Sequence, residues 1–263
     1  ARDTPSKAAE SGALFTPSNG PINIEANRLD IDDTGKRALF TGTVRAQQAG
    51  SHLTTPELEV FYEGEGMMGG SAPKTAAADR QASPGGNTAS AGGKVKRIVA
   101  KKPVLMKRDN GDVVTSDNAD FDALAETAVL TGEVIMTSGT DRRAAGERVE
   151  IDQASGNILL IGNVTVTQAG NELRGGRLAI NRTAGTAQLT TPPEASYGPG
   201  RISARLLRST DDKGAAEKKA EPSGGEGAGG LGSFPTNPAA PVDLTADSLD
   251  VDDKRKVAVF RGD

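Results

Sequence analysis

The fold is decided by residues 151–170, IDQASGNILLIGNVTVTQAG, which predict two β-strands joined by a turn at 154–157. One frame recurs there and elsewhere: an apolar residue precedes aspartate, and a glycine follows eleven positions after the apolar residue. A glycine inside a strand pattern indicates a bulge, a bend or a close backbone approach. Repetition of one strand–turn–strand unit is therefore the first property of this chain. The frame occurs four times, at Ile31 and Gly42, Phe121 and Gly132, Ile151 and Gly162, and Val251 and Gly262.

The composition excludes several classes of protein. The net charge of −4 and the pI near 5.3 argue against a nucleic-acid partner, which requires a basic surface. No run approaches the roughly 18 apolar residues that a membrane-spanning helix needs. Residues 1–15 lack the apolar core of a secretory signal, so we expect a cytoplasmic protein or a mature chain whose signal peptide has been removed. The absence of cysteine excludes a disulfide framework.

Structured and unstructured segments are predicted to alternate along the chain. Residues 1–20 are polar and interrupted by glycine and proline, so we expect a flexible arm. Across residues 21–208, apolar residues alternate with polar ones and turn residues recur about every ten positions, which indicates an all-β domain of many short strands. Residues 64–93 and 209–240 lack this periodicity and are rich in glycine, so we expect a disordered insertion and a flexible linker.

A second copy of the domain is predicted to begin at Pro241. Residues 241–263, PVDLTADSLDVDDKRKVAVFRGD, repeat residues 21–43 at a constant offset of 220, and ten of the 23 positions are identical. We interpret this segment as the start of a second, incomplete copy. The sequence leaves open whether its strands pair with an edge of the first copy.

Few residues could form a catalytic or metal site. His52 is the only histidine, which excludes multi-histidine zinc sites and leaves little for a Ser-His-Asp triad, and we expect it to be exposed in a loop. Asp30 and Asp32 begin like a calcium loop, but its twelfth position is Thr41 instead of glutamate. We interpret these aspartates as turn residues whose carboxylates accept backbone hydrogen bonds. We predict no catalytic residues, no metal and no cofactor.

Two charged motifs have alternative interpretations. Arg261-Gly262-Asp263 matches a cell-adhesion tripeptide, but Gly262 is the repeat glycine, which favours a structural role. Residues 94–108 contain seven basic residues and no acid. We interpret them as a solvated edge strand protected by lysines, or as a docking patch for phosphorylated or anionic head groups.

Several segments together resemble a known family: PINIEANRLDIDD with ALFTGTVRA, KPVLMKRDNG with NADFDALAETAVLTGEV, and LLIGNVTVTQAGNELRGGRLAI. Residues 21–207 resemble the OstA-like domain of the LptA family of periplasmic lipopolysaccharide-transport proteins, which includes LptC and the N-terminal part of LptD. The resemblance implies an antiparallel, folded-over sheet, called a β-jellyroll or β-taco, whose apolar cleft holds lipid A acyl chains. Such domains stack head to tail in a bridge from the inner to the outer membrane.

The resemblance also implies a site, partners and a location. We expect docking of LptC-like and LptD-like partners, or of a second copy, along the edge strands, and a periplasmic location after removal of a signal peptide. The apolar set would suit an ordinary core as well as a lipid cleft. The positions matching the family's lipid-facing residues are Ile22, Met106, Phe121 and Ala123, and the alternation adds Ile24, Phe40 and Val44.

Three alternatives remain at this point. The chain could be the periplasmic part of an LptC-like or LptD-like protein. It could be a repeat-built structural or adhesive β protein with a filled core, which would take up neither a hydrophobic dye nor lipid A. It could be a glycan-processing enzyme, but no pair of carboxylates stands apart from the turn residues.

Overall fold

The computed structural model describes residues 22–64, 87–90, 94–192, 200–207 and 241–262. The predicted arm at 1–20, the predicted linker at 209–240 and most of the predicted insertion lie outside the described residues. The described residues contain no helix and form one sheet of antiparallel strands. The strands are β1 (Asn23–Ala26), β2 (Arg28–Asp32), β3 (Arg37–Gln48), β4 (Ser51–Glu63), β5 (Asn87–Ser90), β6 (Lys94–Lys101), β7 (Val104–Arg108), β8 (Val113–Ser116), β9 (Asn118–Asp122), β10 (Thr127–Ser138), β11 (Arg142–Asp152), β12 (Asn157–Gln168), β13 (Asn171–Asn181), β14 (Thr186–Thr190), β15 (Ile202–Leu206), β16 (Val242–Ala246), β17 (Ser248–Asp252) and β18 (Val257–Arg261).

Each repeat begins with a turn that is closed by its aspartate. The carboxylate of Asp32 accepts a hydrogen bond from the backbone N–H of Gly35 at 2.9 Å, and Asp152 and Asp252 accept equivalent bonds at 3.0 and 2.9 Å. The turn then ends on a residue with positive φ, such as Lys36 at 50°. This geometry matches the turns that connect antiparallel strands. The interpretation as a turn residue is confirmed for Asp32. It is wrong for Asp30, which lies within strand β2 and accepts hydrogen bonds from the Arg28 guanidinium at 2.8 Å.

The repeat glycines lie at β-bulges, as predicted. The register shifts at Gly42, Gly132 and Gly162, whose φ values are 100°, 75° and 84°. A side chain would not fit at these positions, since a Cβ on Gly162 would lie 2.5 Å from Oε2 of Glu147. Bulges bend a strand and increase its twist. The three bulges lie at equivalent positions of neighbouring repeats, and we refer to the line that they form as the bulge line.

The sheet is folded into two layers at the bulge line. Residues 37–41 of β3 pair with β2, whereas residues 45–47 of the same strand pair with β1. Strand β10 pairs likewise with β9 before its bulge and with β8 after it. The long strands therefore contribute to both layers, and the inner faces of the two layers pack into one apolar core. The all-β, antiparallel, folded-over architecture predicted from the sequence is confirmed.

The C-terminal segment continues this sheet. Strand β16 pairs with β15, β17 pairs with β14, and β18 pairs with β17. The pairing of β17 with β18 has the same register as that of β2 with β3, since Ser248 lies opposite Arg261 and Arg28 lies opposite Thr41. The sequence left open whether these strands pair with an edge of the first copy, and in the structure they do.

One part of the predicted insertion differs from the expectation. Residues 87–90 form strand β5, which is antiparallel to β1. Strand β1 carries backbone N–H and C=O groups on the side that faces away from β3, and a paired strand satisfies them without any apolar pattern of its own. Backbone pairing of this kind leaves no signal in hydrophobic periodicity.

Candidate functional site

The interior between the two layers is packed most tightly at the bulge line. Leu130, Val149, Leu160 and Val164 lie beside this line, and at most 1% of each residue is exposed. Inward-facing residues closer to the turns are only partly buried, as Met136 is. The interior therefore opens with distance from the bulge line.

At the N-terminal part of the sheet the interior is closed over its whole depth. Ile24, Phe40 and Val44 are each at most 1% exposed. Toward the turns, Tyr62 is 2% exposed and its hydroxyl donates a hydrogen bond to Oδ1 of Asp33 at 2.9 Å. Burial, together with this bond to a carboxylate, raises the pKa of the Tyr62 phenol. This part has the properties of a filled hydrophobic core.

Between β7–β8 and β10–β13 the two layers diverge and leave an open cleft. Its volume is 420 Å³, which lies within the range of about 300–1,000 Å³ found for small-molecule sites. The apolar side chains facing it are aliphatic or thioether groups, and methionine in particular adapts to irregular shapes. They include Met106, Met136, Ala144, Ile158, Val166 and Ile180.

The cleft has a basic rim, which we define as its border of Arg108, Arg142, Arg143 and Arg182. These residues lie at or beside the ends of strands, away from the bulge line. Asp112 is the acidic residue that also borders the cleft. The site therefore combines an apolar interior with a positively charged opening.

Arg108 is a largely buried residue of the basic rim. Only 16% of its side chain is exposed, and its Nη1 lies 3.9 Å from Oδ2 of Asp112. Burial lowers the pKa of the Arg108 guanidinium; the charge of Asp112 opposes this shift and that of Arg182 adds to it. Two like charges thus lie within electrostatic reach of each other at the opening of an apolar cleft.

The structure distributes the predicted site residues over three environments. Met106 is 2% exposed and borders the cleft. Ala123 lies in the turn after β9, where its N–H donates to the carbonyl of Lys96 at 2.7 Å. The other predicted residues, all at most 5% exposed, lie in the closed part of the core: Ile22, Ile24, Phe40, Val44 and Phe121.

Sequence reasoning missed most of the cleft. Met136 and Val166 lie two residues beyond Val134 and Val164, which follow the repeat glycines, so the alternation places them on the same inner face. Arg108 is likewise two residues beyond Met106. Counting every second residue onward from the bulge would therefore have identified these positions in the sequence.

The interpretation of the basic segment 94–108 as an edge strand is wrong. Strand β6 pairs with β4 on one side and β9 on the other, so it is not an edge strand. Four of the segment's basic residues pair with acids on neighbouring strands and turns, whereas Arg108 lies at the border of the cleft. The pairs are Lys96 with Glu63 at 2.7 Å, Lys101 with Glu57 at 3.2 Å, Lys102 with Asp117 at 3.1 Å, and Arg97 with Asp120.

His52 was expected in a loop and instead lies in strand β4. Its Nε2 is 3.1 Å from Oδ1 of Asp109, and the side chain is 45% exposed. Among the residues that the structure describes, no group of three or more histidine, cysteine, aspartate or glutamate side chains could hold a metal ion. Over the same residues, no helix has the length and apolar character needed to cross a membrane.

Comparison with known proteins identifies a matching family and similar individual proteins, including the two that follow. A family model described as LptA/(LptD N-terminal domain) LPS transport protein matches residues 23–141 and 137–186. An uncharacterized protein of Rhizobium meliloti (strain 1021) is 26% identical over 177 residues, which are 67% of this chain and 68% of that protein. The crystal structure of LptH, the LptA-homologous periplasmic component of the lipopolysaccharide transport device of Pseudomonas aeruginosa, covers 74% of this chain and 100% of that chain, with 13% identity and a TM-score of 0.31. Because the family match spans more than half of the sequence, the chain belongs to the LptA/LptD N-terminal domain family of lipopolysaccharide-transport proteins.

Proposed function

We propose that this protein binds lipopolysaccharide by holding lipid A acyl chains in the cleft, and carries it across the periplasm within a bridge from the inner to the outer membrane. The observation that carries the proposal is an open apolar cleft in a chain of the lipopolysaccharide-transport family. The periplasmic location is part of the proposal, since a bridge between the two membranes lies in the periplasm.

The chemistry of the cleft suits an alkyl chain. Met136, Ile158 and Val166 are partly buried apolar residues that retain contact with solvent at the cleft. Each methylene that an acyl chain transfers from water to such a surface contributes about 0.8 kcal/mol. No catalytic step is needed, because the cleft only shields the chain while it moves.

An acyl chain in the cleft would reach the predicted residues of the closed core by passing Met106. This residue packs in the core and also borders the cleft. An acyl chain that moved along the interior toward the N-terminal strands would next meet the region of Phe121 and Phe40. Lipid contact at those residues requires the two layers to separate there, and it is part of the proposal.

The edges of the sheet are the proposed docking surfaces for LptC-like and LptD-like partners, or for a second copy. Among the described strands, β18 pairs with β17 alone, and its Val257 and Val259 are 46% and 39% exposed. Strand β2 pairs with β3 alone and exposes 38% of Ile31. An unpaired edge with exposed apolar side chains favours addition of a strand from another chain.

Site-specific photocrosslinking in cells that make lipopolysaccharide tests the function. A photoreactive residue replaces Met136 and, separately, Ile158, both of which face the cleft. The matched control is Lys107, which is exposed next to Met106 but points to the outer face of β7. We expect lipopolysaccharide adducts at the first two positions and none at the control. Folded protein without adducts at Met136 and Ile158 would contradict the proposal.

A structural β protein with a filled core is the second candidate, and the closed packing around Phe40 is the observation that favours it. The two candidates differ in the uptake of a hydrophobic dye. A lipid carrier should bind the dye and release it to lipid A, whereas a filled core should bind neither. If the chain is the periplasmic part of an LptC-like or LptD-like protein, the chemistry of the cleft is the same and only the docking partners differ.

A further inference from the structure

The basic rim differs in charge from the rest of the protein. The whole chain carries a net charge of −4. The cleft, in contrast, is bordered by four arginines and one aspartate, which gives it a net charge of about three positive units at neutral pH. A local positive field on an acidic protein attracts anions to that place and not to the surface at large.

Arg108 lacks the compensation that arginines on the outer face have. Its Nε is buried without a hydrogen-bond partner among the described residues. Its nearest carboxylate oxygen, Oδ2 of Asp112, is 3.9 Å away, beyond hydrogen-bond distance, and accepts a bond from Asn110 at 2.9 Å. A guanidinium buried next to Arg182 without such a partner is costly unless an anion joins it.

The arginines of the outer face show the contrast. Arg205 Nε donates to Oδ1 of Asp243 at 2.8 Å, and Arg97 Nε donates to Oδ1 of Asp120 at 2.8 Å, with a second bond from each guanidinium to the same carboxylate. In each pair, two guanidinium donors bind the two oxygens of one carboxylate within the protein. The donors of Arg108 are not used up in this way.

We propose that Arg108, Arg142 and Arg182 bind the anionic group of an amphiphile, a phosphate or a carboxylate, whose alkyl chain lies in the cleft. The proposal rests on the proposed function for the position of the chain and adds which end of the cleft holds the head group. The apolar side chains lie toward the bulge line and the guanidinium groups lie at the opening, so the polarity of the cleft matches that of the ligand. Planar guanidinium groups bind phosphate and carboxylate with paired hydrogen bonds.

Two acids near the basic rim limit its charge. Asp112 borders the cleft itself, and Asp253, in the turn between β17 and β18, lies within electrostatic reach of Arg142. The pKa of Asp253 is lowered, chiefly by its hydrogen bond to Lys256 and only in small part by Arg142. Lys256 is the partner of this carboxylate, with its Nζ 2.7 Å from Oδ1 of Asp253, and Arg142 is exposed at the opening.

The test uses the full chain and displacement of N-phenyl-1-naphthylamine, an uncharged apolar dye. The competitors are dodecyl phosphate, dodecyl glucoside with the same chain and no charge, and inorganic phosphate. We expect dodecyl phosphate to bind about tenfold more tightly than the glucoside, and the difference to shrink as salt screens the charges. Inorganic phosphate should not displace the dye, because it has no chain.

Variants assign the effect to the basic rim. Arg108→Met and Arg182→Gln should each reduce the preference for dodecyl phosphate to about threefold or less, and leave the affinity for the glucoside unchanged. Arg205→Gln, on the outer face, is the matched control and should retain the full preference. If Arg108→Met does not fold, the inference is tested by comparing the two head groups on the unmodified chain and on Arg142→Gln. That variant should also lose part of the preference for dodecyl phosphate.

The outcomes separate this inference from the proposed function. Equal affinity for the phosphate and the glucoside overturns the inference and leaves the cleft as a chain-binding site. Competition between inorganic phosphate and dodecyl phosphate at equal affinity also overturns it, since the site would then bind free anions. Failure of both amphiphiles to displace the dye overturns the proposed function, and the inference falls with it.

Discussion

Replacing the repeat glycine Gly162 with alanine should destabilise the fold strongly. Gly162 has a φ of 84°, and a Cβ there would lie 2.5 Å from Oε2 and 2.7 Å from Cβ of Glu147. The left-handed backbone costs an alanine about 1–2 kcal/mol. Crowding adds about 1–3 kcal/mol, because the Cβ of Glu147 is attached to the backbone of β11 and cannot simply rotate away. We expect the free energy of unfolding to fall by about 2–5 kcal/mol.

Urea denaturation followed by far-UV circular dichroism measures this change. Gly146→Ala is the matched control, since Gly146 lies on the neighbouring strand β11 and has no left-handed φ. Its added Cβ would meet the carbonyl oxygen of Ile161 at 3.4 Å, an ordinary contact, so its effect should be within about 1 kcal/mol of zero. A loss for Gly162→Ala no larger than that for Gly146→Ala would refute the argument that bulge geometry requires glycine.

Three further predictions concern packing, hydrogen bonding and pH. Leu160→Ala should lower the free energy of unfolding by about 2–5 kcal/mol, whereas Leu159→Ala on the outer face should cost less than about 1.5; similar losses in urea melts would contradict the two-layer assignment. Tyr62→Phe removes a buried hydrogen bond to a turn carboxylate and should cost about 1–2 kcal/mol by the same assay, and an unchanged midpoint would show that the bond contributes nothing. The pKa of Asp243 is lowered from 3.8 by its hydrogen bond to Arg205, so its contribution to stability is present above pH 3.8 and is lost as the pH falls through the lowered value. The Tm values of Asp243→Asn and the unmodified chain should therefore converge below pH 3.8, and a constant difference down to pH 2 would argue against the assignment.

The succession of strands and turns along the chain, and the positions of the glycines that form the bulges, could be predicted from the sequence. In the unit that begins at Ile151, the aspartate, the turn and Gly162 have fixed spacings, and each has a local physical cause: a side-chain hydrogen bond, a compact loop and a positive φ. These three causes act between residues within about a dozen positions of each other, so they can be recognised from a spacing that recurs in the sequence. The inward orientation of Phe40 followed from alternation for the same reason.

The open cleft could not be predicted, because it depends on the distance between layers. Alternation places Phe40 and Ile158 equally on an inner face, yet Phe40 is fully buried and Ile158 borders the cleft. The difference is set by the strand that lies opposite in space, which the sequence does not identify. The charge run at 94–108 misled for a related reason: Arg108 points inward, while Lys101 pairs with Glu57 of the adjacent strand.

The shared position of the bulges has a consequence for how this architecture can grow. Every repeat places its glycine eleven residues after the apolar residue that precedes the turn aspartate, so β3, β10 and β12 each carry a bulge at the equivalent position. A further repeat therefore adds its bulge to the same line, and the strand that follows it is displaced along that line. Duplication in such a sequence lengthens the interior between the two layers, whereas its width at each point depends on the side chains that face it there. The number of repeats thus sets how far a bound molecule can travel on one chain, independently of which molecule fits.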